Sequence, residues 1–463
     1  MNKNDIIHVP EKLEDLLGFS ATCACGRTHS VELAFASIRE GALDDLVPFA
    51  RKTVGRSKDV VIIADRVTRE ICGDEAKRLL ESDGHSVRVV LIPDGPGRRP
   101  HADEPGLQLV ESALERGDLA VSIGSGTIND LTKLASFERG IPYITVATAP
   151  SMNGYTSAIA AIMRHGVKRT VECHQPRAVV ADLEILRAAP HELVAAGLGD
   201  LESKPTATAD FRLGGLLRGG YYCSAPEQVV FRAEARAAES AEGLSRGDPE
   251  SIAALTEALI LSGISMKLAG SSGPASGGEH LISHHWDMTA EEEGRIEGWH
   301  GAQVGVATIV TAALYERLEE VSPEDIDVDR IVAARLPRDD IERGIRKRHG
   351  ARADEVIAEY FSKHLGDEDF TREIQKIRDE WDYLWRNLKE ILRPASRVRE
   401  ILTSAGAPVT VTDLGLTRDH LRQSFIAARE IRSRYTVLDL AASLNLLEEI
   451  RDDVLNTSGC LGV

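Results

Sequence analysis

The sequence predicts two domains: an α/β domain with a parallel, doubly wound sheet over residues 1–184, and an all-α domain over residues 185–463. The chain of 463 residues exceeds the roughly 250 to 300 residues at which one hydrophobic core usually splits. From residue 58, β-branched runs alternate with amphipathic stretches, which indicates strands joined by crossover helices. After about residue 184 the stretches are long and Ala-, Leu- and Glu-rich, so the second domain should be helical.

The elements of the first domain follow one another in a regular order. Strands are predicted at "VVIIAD" (60–65), "SVRVVLI" (86–92), "LAVSIGSGT" (119–127) and "PYITVATAP" (142–150). Helices are predicted between them at "REICGDEAKRLLES", "GLQLVESALERG" and "INDLTKLASFERG". Because a helix separates each pair of strands, helices should cover both faces of a parallel sheet. The domain boundary is expected near "ADLEILRAAPHEL".

Composition and charge narrow the class of partner. A formal net charge of −18 argues against nucleic acid, since phosphate binding needs a basic face. The most apolar helical stretch, at 252–270, is interrupted by polar residues, so we expect a buried helix and no membrane span. The N-terminus shows no secretory signal pattern. We therefore expect a cytoplasmic protein that binds small molecules and forms a dimer or larger homo-oligomer.

The cysteines are too sparse for a disulfide scaffold. Six cysteines occur in the chain, and in a reducing compartment they should be thiols. In "CACGRTH", Cys23, Cys25 and His29 could hold a metal ion. The run lacks a fourth ligand and the usual two-residue spacing of zinc knuckles, so the sequence favours a turn with ordinary thiols.

The glycine-containing stretch "SIGSGTIND" follows an apolar strand and opens a helix. There the amides of residues 124–127 (Gly124, Ser125, Gly126, Thr127) could bind a pyrophosphate at the positive helix end. A plain strand-to-helix turn would have the same sequence.

Asp65 ends the first predicted strand, where a carboxylate can accept hydrogen bonds from a ribose hydroxyl and repel a 2′-phosphate. The alternative is a capping aspartate. The ribose interpretation implies NAD rather than NADP.

Three histidines stand in "GEHLISHH" (278–285). On a helix, His280 and His284 share one face, while His285 turns about 100° away. The pair is not the H-E-x-x-H of metalloproteases and alone would more often be packing. With His300 in "GWHGAQVGVATI" and Asp200 in "AAGLGDLESK", the set Asp, His, His would leave one coordination position open for substrate.

Five motifs together resemble a known family. "GSGTINDLTK", "PYITVATAPSMNGYTS", "AGLGDLESKPTATAD", "SGGEHLISHHWDM" and "WHGAQVGVAT" occur in the order seen in sn-glycerol-1-phosphate dehydrogenases. These form a branch of the iron-containing alcohol dehydrogenase and dehydroquinate synthase superfamily. The resemblance covers roughly residues 20–310, and "CACGRTH" is similar to a C-x-C-G run of bacterial members. It implies a Rossmann-like NAD-binding domain, a helical dehydroquinate-synthase-like second domain, and an active site in the cleft between them.

The resemblance also implies residue roles. Asp200, His280 and His300 would bind one divalent metal ion (zinc, nickel or iron). His284 would face the substrate as a proton-relay group, with Asp200 also serving catalysis and substrate binding, and His285 would be structural. The NAD-binding set would comprise the glycine loop with further residues downstream: Gly124, Ser125, Gly126, Thr127, Asp130, Thr148, Ser151 and Ser157, together with Asp65.

Two positions depart from the family pattern. Asn153 stands where relatives usually carry Asp, at a position associated with substrate, and Ser203 fills a slot often occupied by glycine. An amide suits a substrate that presents an acceptor. The exchange therefore predicts either a different small polyol or ketone as substrate, or a tolerated near-isosteric change. In the first case Asn153→Asp should raise turnover of dihydroxyacetone phosphate.

The expected function is a metal-dependent, NAD-linked oxidoreductase that reduces a small hydroxyketone such as dihydroxyacetone phosphate. One rival is a lyase or cyclase like dehydroquinate synthase, which would use NAD transiently and consume no net NADH. Another is a binding protein without catalysis, against which the intact Asp, His, His set argues.

Overall fold

A computed structural model describes residues 7–164, 166–290 and 292–457. These residues fall into two compact units, each assembled from separate segments of the chain. Of the described residues, unit 1 comprises 7–164, 168–201 and 223–272, and unit 2 comprises 166–167, 202–222, 273–290 and 292–457.

Unit 1 contains a six-stranded parallel sheet. Its strands are β3 (Phe35–Arg39), β4 (Asp59–Ala64), β5 (Ser86–Leu91), β6 (Leu119–Gly124), β7 (Tyr143–Ala147) and β10 (Ala178–Asp182), in the order β3-β10-β7-β6-β4-β5. Two small two-stranded sheets accompany it: an antiparallel hairpin of β1 (Ser20–Thr22) and β2 (Thr28–Ser30), and the pair β8 (Ile159–Arg164) and β9 (Val167–Glu172).

Helices pack on both faces of the sheet, as predicted. Along β4, Val60 and Ile62 point into one core cluster, and Val61 and Ile63 point into another, because successive side chains of a strand alternate between faces. The helices of unit 1 are α1 (Leu13–Leu16), α2 (Leu46–Val54), α3 (Arg66–Thr68), α4 (Asp74–Ser82), α5 (Glu104–Leu114), α6 (Gly126–Arg139), α7 (Leu183–Arg187), α8 (His191–Glu202, whose last residue belongs to unit 2), α10 (Ala225–Glu239), α11 (Ala241–Ser245) and α12 (Pro249–Ala269).

The compact units differ from the single boundary at residue 184 that the sequence predicts. Helices α10 to α12 belong to unit 1 although they follow that boundary. The reason is that α12 is apolar around its circumference and packs against α10, α7, β2 and β3. Among the described residues α12 is also the one helix long and apolar enough to cross a membrane. Of its most apolar stretch of 18 residues, 83% is buried inside the protein. The prediction of a buried helix at 252–270 is thus confirmed.

Unit 2 is built from helices, as the composition of the second half predicts. The described helices are α9 (Lys204–Arg218), α13 (Gly278–Ala290), α14 (His300–Glu319), α15 (Val328–Ala333), α16 (Arg338–His349), α17 (Ala353–Lys363), α18 (Asp367–Asp379), α19 (Trp381–Leu388), α20 (Ala395–Ser404), α21 (Arg418–Glu430), α22 (Val437–Ser443) and α23 (Leu447–Thr457). Helix α13 packs against α14 and α21, so the histidine-rich stretch lies on a core helix.

Candidate metal centre and coenzyme-binding loops

The strand order of unit 1 reverses between β4 and β6. From β4 the chain proceeds outward to β5, then returns to place β6 on the other side of β4. Asp65 follows β4 and Ser125 follows β6, so both stand at the carboxyl ends of neighbouring parallel strands. Dinucleotides bind at such switch points in open α/β sheets. The topology therefore brings together the two loops that the sequence singled out.

The glycine loop leads straight into helix α6. A Cβ on Gly124 would lie 2.7 Å from the Cβ of Ile128, so the glycine allows the first turn of α6 to approach β6 closely. The Ser125 side chain makes no capping hydrogen bond to this helix. An anion could therefore accept from the backbone amides of its first turn. Ser125, Gly126 and Thr127 are partly exposed, as a binding loop requires.

Asp65 has a structural role of its own. Its Oδ1 accepts a hydrogen bond from the Thr68 amide at 2.7 Å, and its own amide donates to the Thr68 hydroxyl at 3.0 Å. This capping box starts helix α3. The capping interpretation of Asp65 is therefore correct, and its role toward a ribose stays a prediction.

Lys133 is a buried cation that the sequence interpretation overlooked. Its side chain is 0% exposed, and its ammonium lies 3.3 Å from Asp130 Oδ1 and 3.0 Å from Ser157 Oγ. It also donates to the carbonyls of Gly154 at 2.6 Å and Ile159 at 2.8 Å. Asp130 and Ser157, predicted to bind coenzyme, thus both contact Lys133. Because this lysine ties α6 to the 154–159 segment, it shapes the loop after β7. That loop also carries two other predicted residues, Thr148 and Ser151, both buried.

The carboxylate of Asp200 is held in place within unit 1. Asp200 lies near the end of α8 and is buried. Its Oδ2 accepts from the Asn153 backbone amide at 2.9 Å, and its Oδ1 accepts from the Asn153 side-chain amide at 3.0 Å. The amide nitrogen of Asn153 is thus directed at Asp200. Asn153 therefore positions Asp200, a candidate metal ligand, and the sequence did not reveal this role of Asn153.

A buried carboxylate orients His280 in unit 2. The Nδ1 of His280 lies 2.8 Å from Glu279 Oε1, which also accepts from the Gly277 amide at 2.6 Å. Burial raises the pKa of Glu279, but the hydrogen bonds that its carboxylate accepts from His280 and from the Gly277 amide help to outweigh it, so the pKa is lowered overall. An ionised acceptor at Nδ1 makes that nitrogen the donor, which leaves Nε2 with the lone pair that a metal needs.

Ser283 orients His300 in the same way. The Ser283 hydroxyl donates to Gln303 Oε1 at 2.8 Å, so its oxygen can accept from His300 Nδ1 at 3.3 Å. The ring centroids of His280 and His300 lie 5.2 Å apart, and the ring of His284 stacks at 5.7 Å from that of His300. Unit 2 thus groups the three predicted histidines on α13 and the start of α14.

His285 turns away from this group, as helical spacing predicts. It is buried, and its Nδ1 lies 3.3 Å from the Ser424 hydroxyl. Its ring lies 6.2 Å from that of His349, which in turn contacts Glu430. Burial and the neighbouring His349 lower the pKa of His285 to about 3.

We expect the buried His285 to destabilise the protein in mild acid. The unfolded residue has a pKa of about 6.5, so below that pH the unfolded chain takes up a proton that the folded protein does not. The free energy of unfolding should therefore fall as the pH drops, by about 2 kcal/mol at pH 5 for this residue. Urea unfolding of the unmodified protein and of His285→Gln, each at pH 7 and pH 5, measures this change in the free energy of unfolding. The variant should lose less stability between the two pH values, and equal losses would contradict the assignment.

The sequence and the fold each match known proteins. Residues 37–190 match the family model described as iron-containing alcohol dehydrogenase. A protein of Halalkalibacterium halodurans named glycerol-1-phosphate dehydrogenase, NAD(P)+-linked, is 36% identical over 299 residues, covering 64% of this chain and 74% of its own length. A Bacillus licheniformis protein of the same name is 29% identical and covers 96% of both chains. The crystal structure of glycerol dehydrogenase from Schizosaccharomyces pombe shares the fold, with a TM-score of 0.59, 16% identity and 92% coverage of both chains.

Proposed function

Because this chain belongs to the glycerol-1-phosphate dehydrogenases of the iron-containing alcohol dehydrogenase family, we propose that it reduces dihydroxyacetone phosphate to sn-glycerol 1-phosphate with NADH. Membership of the family makes the chain an NAD(P)-linked, metal-dependent oxidoreductase. The observation that carries the proposal is the set of neighbours that hold the candidate metal ligands: Asn153 on Asp200, Glu279 on His280 and Ser283 on His300.

The proposed metal ligands are Asp200, His280 and His300. One carboxylate and two imidazoles suit zinc, nickel or iron, and three protein ligands leave a position for a substrate oxygen. A bound cation would act as a Lewis acid toward the substrate carbonyl. The residues around the ligands fit this role, because outer hydrogen bonds that fix ligand tautomers and carboxylate orientation are typical of metal sites.

His284 is proposed to hold and deliver a proton. It follows His280 by one helical turn, its ring stacks on that of His300, and it is buried. An imidazole can pass a proton near neutral pH. His284 would thus supply the proton for the alcohol oxygen, and a bound NADH would provide the hydride for the carbonyl carbon.

Two substrate hypotheses depend on the role of Asn153. Since its side-chain amide donates to Asp200, the amide has a function that requires no change of substrate. This contact supports the proposal that dihydroxyacetone phosphate is the substrate, and a different polyol or ketone remains the alternative that the next experiment tests.

We expect Asn153→Asp to lower kcat/KM for dihydroxyacetone phosphate about ten- to a hundredfold. The exchange replaces a donor by a second carboxylate 3.0 Å from Asp200, and losing a hydrogen bond to a charged group costs about 1.5 to 3 kcal/mol. Steady-state kinetics with Asn153→Ala as control separates loss of the donor from addition of charge. Faster turnover of dihydroxyacetone phosphate by the Asp variant would support a shifted substrate.

The proposed coenzyme is NAD rather than NADP. Asp65 stands beside the glycine loop at the switch point, where its charge would oppose a 2′-phosphate. We expect Asp65→Asn to improve the relative efficiency with NADPH about tenfold or more, since like charges brought together cost several kcal/mol. Asparagine keeps the capping acceptor for α3, so folding should be preserved. If the ratio of kcat/KM with NADPH to kcat/KM with NADH is unchanged, Asp65 has the capping role alone.

The proposal is tested by metal analysis of the purified protein and a screen of phosphorylated and free hydroxyketones with NADH. Metal-dependent NADH oxidation with dihydroxyacetone phosphate supports it. Turnover without net NADH consumption would instead indicate a reaction like that of dehydroquinate synthase. We also propose a cytoplasmic location and a homo-oligomer, which fractionation and light scattering would test.

A further inference from the structure

The N-terminal hairpin of unit 1 carries three side chains of metal-ligating types in or beside its turn. Cys23 and Cys25 lie in the turn between β1 and β2, and His29 lies on β2. The turn is closed by backbone hydrogen bonds from Cys23 to Arg27 at 2.9 Å and from Gly26 to Cys23 at 3.0 Å. Both sulfurs and the imidazole are thereby held on one short, tightly folded segment.

The structure adds the fourth ligand that the sequence lacked. Cys223, just before α10, lies with its Sγ 3.9 Å from Cys23 Sγ and 3.6 Å from His29 Nε2. Cys25 Sγ lies 3.4 Å from the same nitrogen. Around a tetrahedral zinc ion, Zn–S and Zn–N bonds separate two sulfurs by about 3.8 Å and a sulfur from a nitrogen by about 3.6 Å. The four donor atoms therefore have the mutual spacing of a zinc site.

The surroundings prepare these atoms to bind a cation. His29 Nδ1 lies 2.6 Å from the carbonyl oxygen of Leu268, so Nδ1 must carry the hydrogen and Nε2 faces the sulfurs with its lone pair. The Ala225 amide donates to Cys223 Sγ at 3.4 Å, a contact that stabilises a thiolate. Hydrogen bonds of both kinds support ligands in metal sites.

We propose that Cys23, Cys25, His29 and Cys223 bind one structural zinc ion. Four protein ligands close the coordination sphere, and thiolates favour zinc over harder cations. Three of the four residues are buried: Cys23 is 4% exposed, His29 is 0% exposed and Cys223 is 1% exposed. Cys25 is partly exposed. The ion would join the N-terminal hairpin to the start of α10, about 200 residues away, and through His29 to the end of α12.

A disulfide between Cys23 and Cys223 is the main competitor. It would need the sulfurs at about 2.05 Å, far closer than 3.9 Å, and the described cysteines form no disulfide. A disulfide would also leave the placement of Cys25 and His29 unexplained.

Metal coordination in the unmodified full chain tests the proposal directly. Where zinc occupies this site alone, X-ray absorption at the zinc edge should show three sulfur neighbours at about 2.3 Å and one nitrogen at about 2.0 Å. Zinc in the proposed catalytic site as well would add nitrogen and oxygen neighbours to this spectrum. Sulfur coordination cannot arise from the proposed catalytic ligands, because these are a carboxylate and two imidazoles. A mercurial reagent should release one zinc ion per chain. Zinc bound by nitrogen and oxygen only, or a Cys23–Cys223 disulfide in peptide mass analysis of non-reduced protein, would overturn the proposal.

Variants separate this site from general effects of cysteine replacement. Cys223→Ala and the milder Cys25→Ser should each lose the mercurial-releasable zinc ion. Cys72→Ala and Cys173→Ala should keep it, because these buried cysteines stand outside the cluster. Retention of thiolate-bound zinc in both Cys223→Ala and Cys25→Ser would also overturn the assignment.

Discussion

Replacing His280 by alanine is expected to remove the catalytic metal and lower kcat/KM by a factor on the order of 10³ or more. A Lewis acid at a reacting carbonyl is worth several kcal/mol, and each 1.36 kcal/mol is a factor of ten in rate. The orientation of His280 by Glu279 marks Nε2 as the metal-binding atom. Metal content by mass spectrometry and steady-state kinetics on the same sample measure both losses.

Two neighbouring histidines provide matched controls. His285→Gln changes a buried histidine of the same helix and should keep both metal and activity. His284→Asn should keep the metal yet lose activity, because His284 is proposed to transfer a proton and not to bind the metal. A His280→Ala protein with full metal content and turnover would exclude His280 from the ligand set.

Replacing Lys133 by methionine is expected to destabilise unit 1 by about 3 kcal/mol, since removing one partner of a buried ion pair typically costs 3 to 5 kcal/mol. The lower value applies because the Asp130 side chain is 17% exposed and can take up a proton. Burial already raises the pKa of Asp130, and losing the ammonium would raise it further. In a unit of this size, 3 kcal/mol corresponds to roughly 6 to 12 °C in Tm, which circular dichroism would detect.

The double variant Asp130→Asn/Lys133→Met tests the cause. Removing both charges leaves no uncompensated carboxylate, so at least half of the lost stability should return. A double variant as unstable as Lys133→Met alone would show that the carbonyl contacts of Lys133, and not its pairing with Asp130, account for the loss.

The sequence predicted four of the six strands of the parallel sheet, because β4, β6 and β7 are apolar runs and the edge strand β5 is rich in valine. The runs at 60–65, 86–92, 119–127 and 142–150 correspond to β4, β5, β6 and β7. Strands β3 and β10 were missed. β3 (FASIR) contains a single β-branched residue, and β10 (AVVAD) runs into the expected domain boundary. The discontinuous units could not be predicted, because which unit α12 packs against depends on tertiary contacts.

The candidate site was predicted only at the level of its principal residues. Motif order pointed to His280, His284 and His300, and unit 2 groups them. The residues that orient them gave weaker signals, and the sequence analysis assigned no role to Glu279 or Ser283. Cys223 lies about 200 residues from its partners, so spacing along the chain could not reveal it. The hydrogen bond from Asn153 to Asp200 could not be predicted either, because the fold brings together two residues that lie far apart in the chain.

The most direct test of the proposed function is the reaction of metal-loaded protein with dihydroxyacetone phosphate and NADH, followed by chiral analysis of the glycerol phosphate formed. We predict that one NADH is consumed for each sn-glycerol 1-phosphate produced, that a chelator stops the reaction, and that added zinc, nickel or iron restores it. Formation of sn-glycerol 3-phosphate, or no net consumption of NADH by the metal-loaded protein, would contradict it.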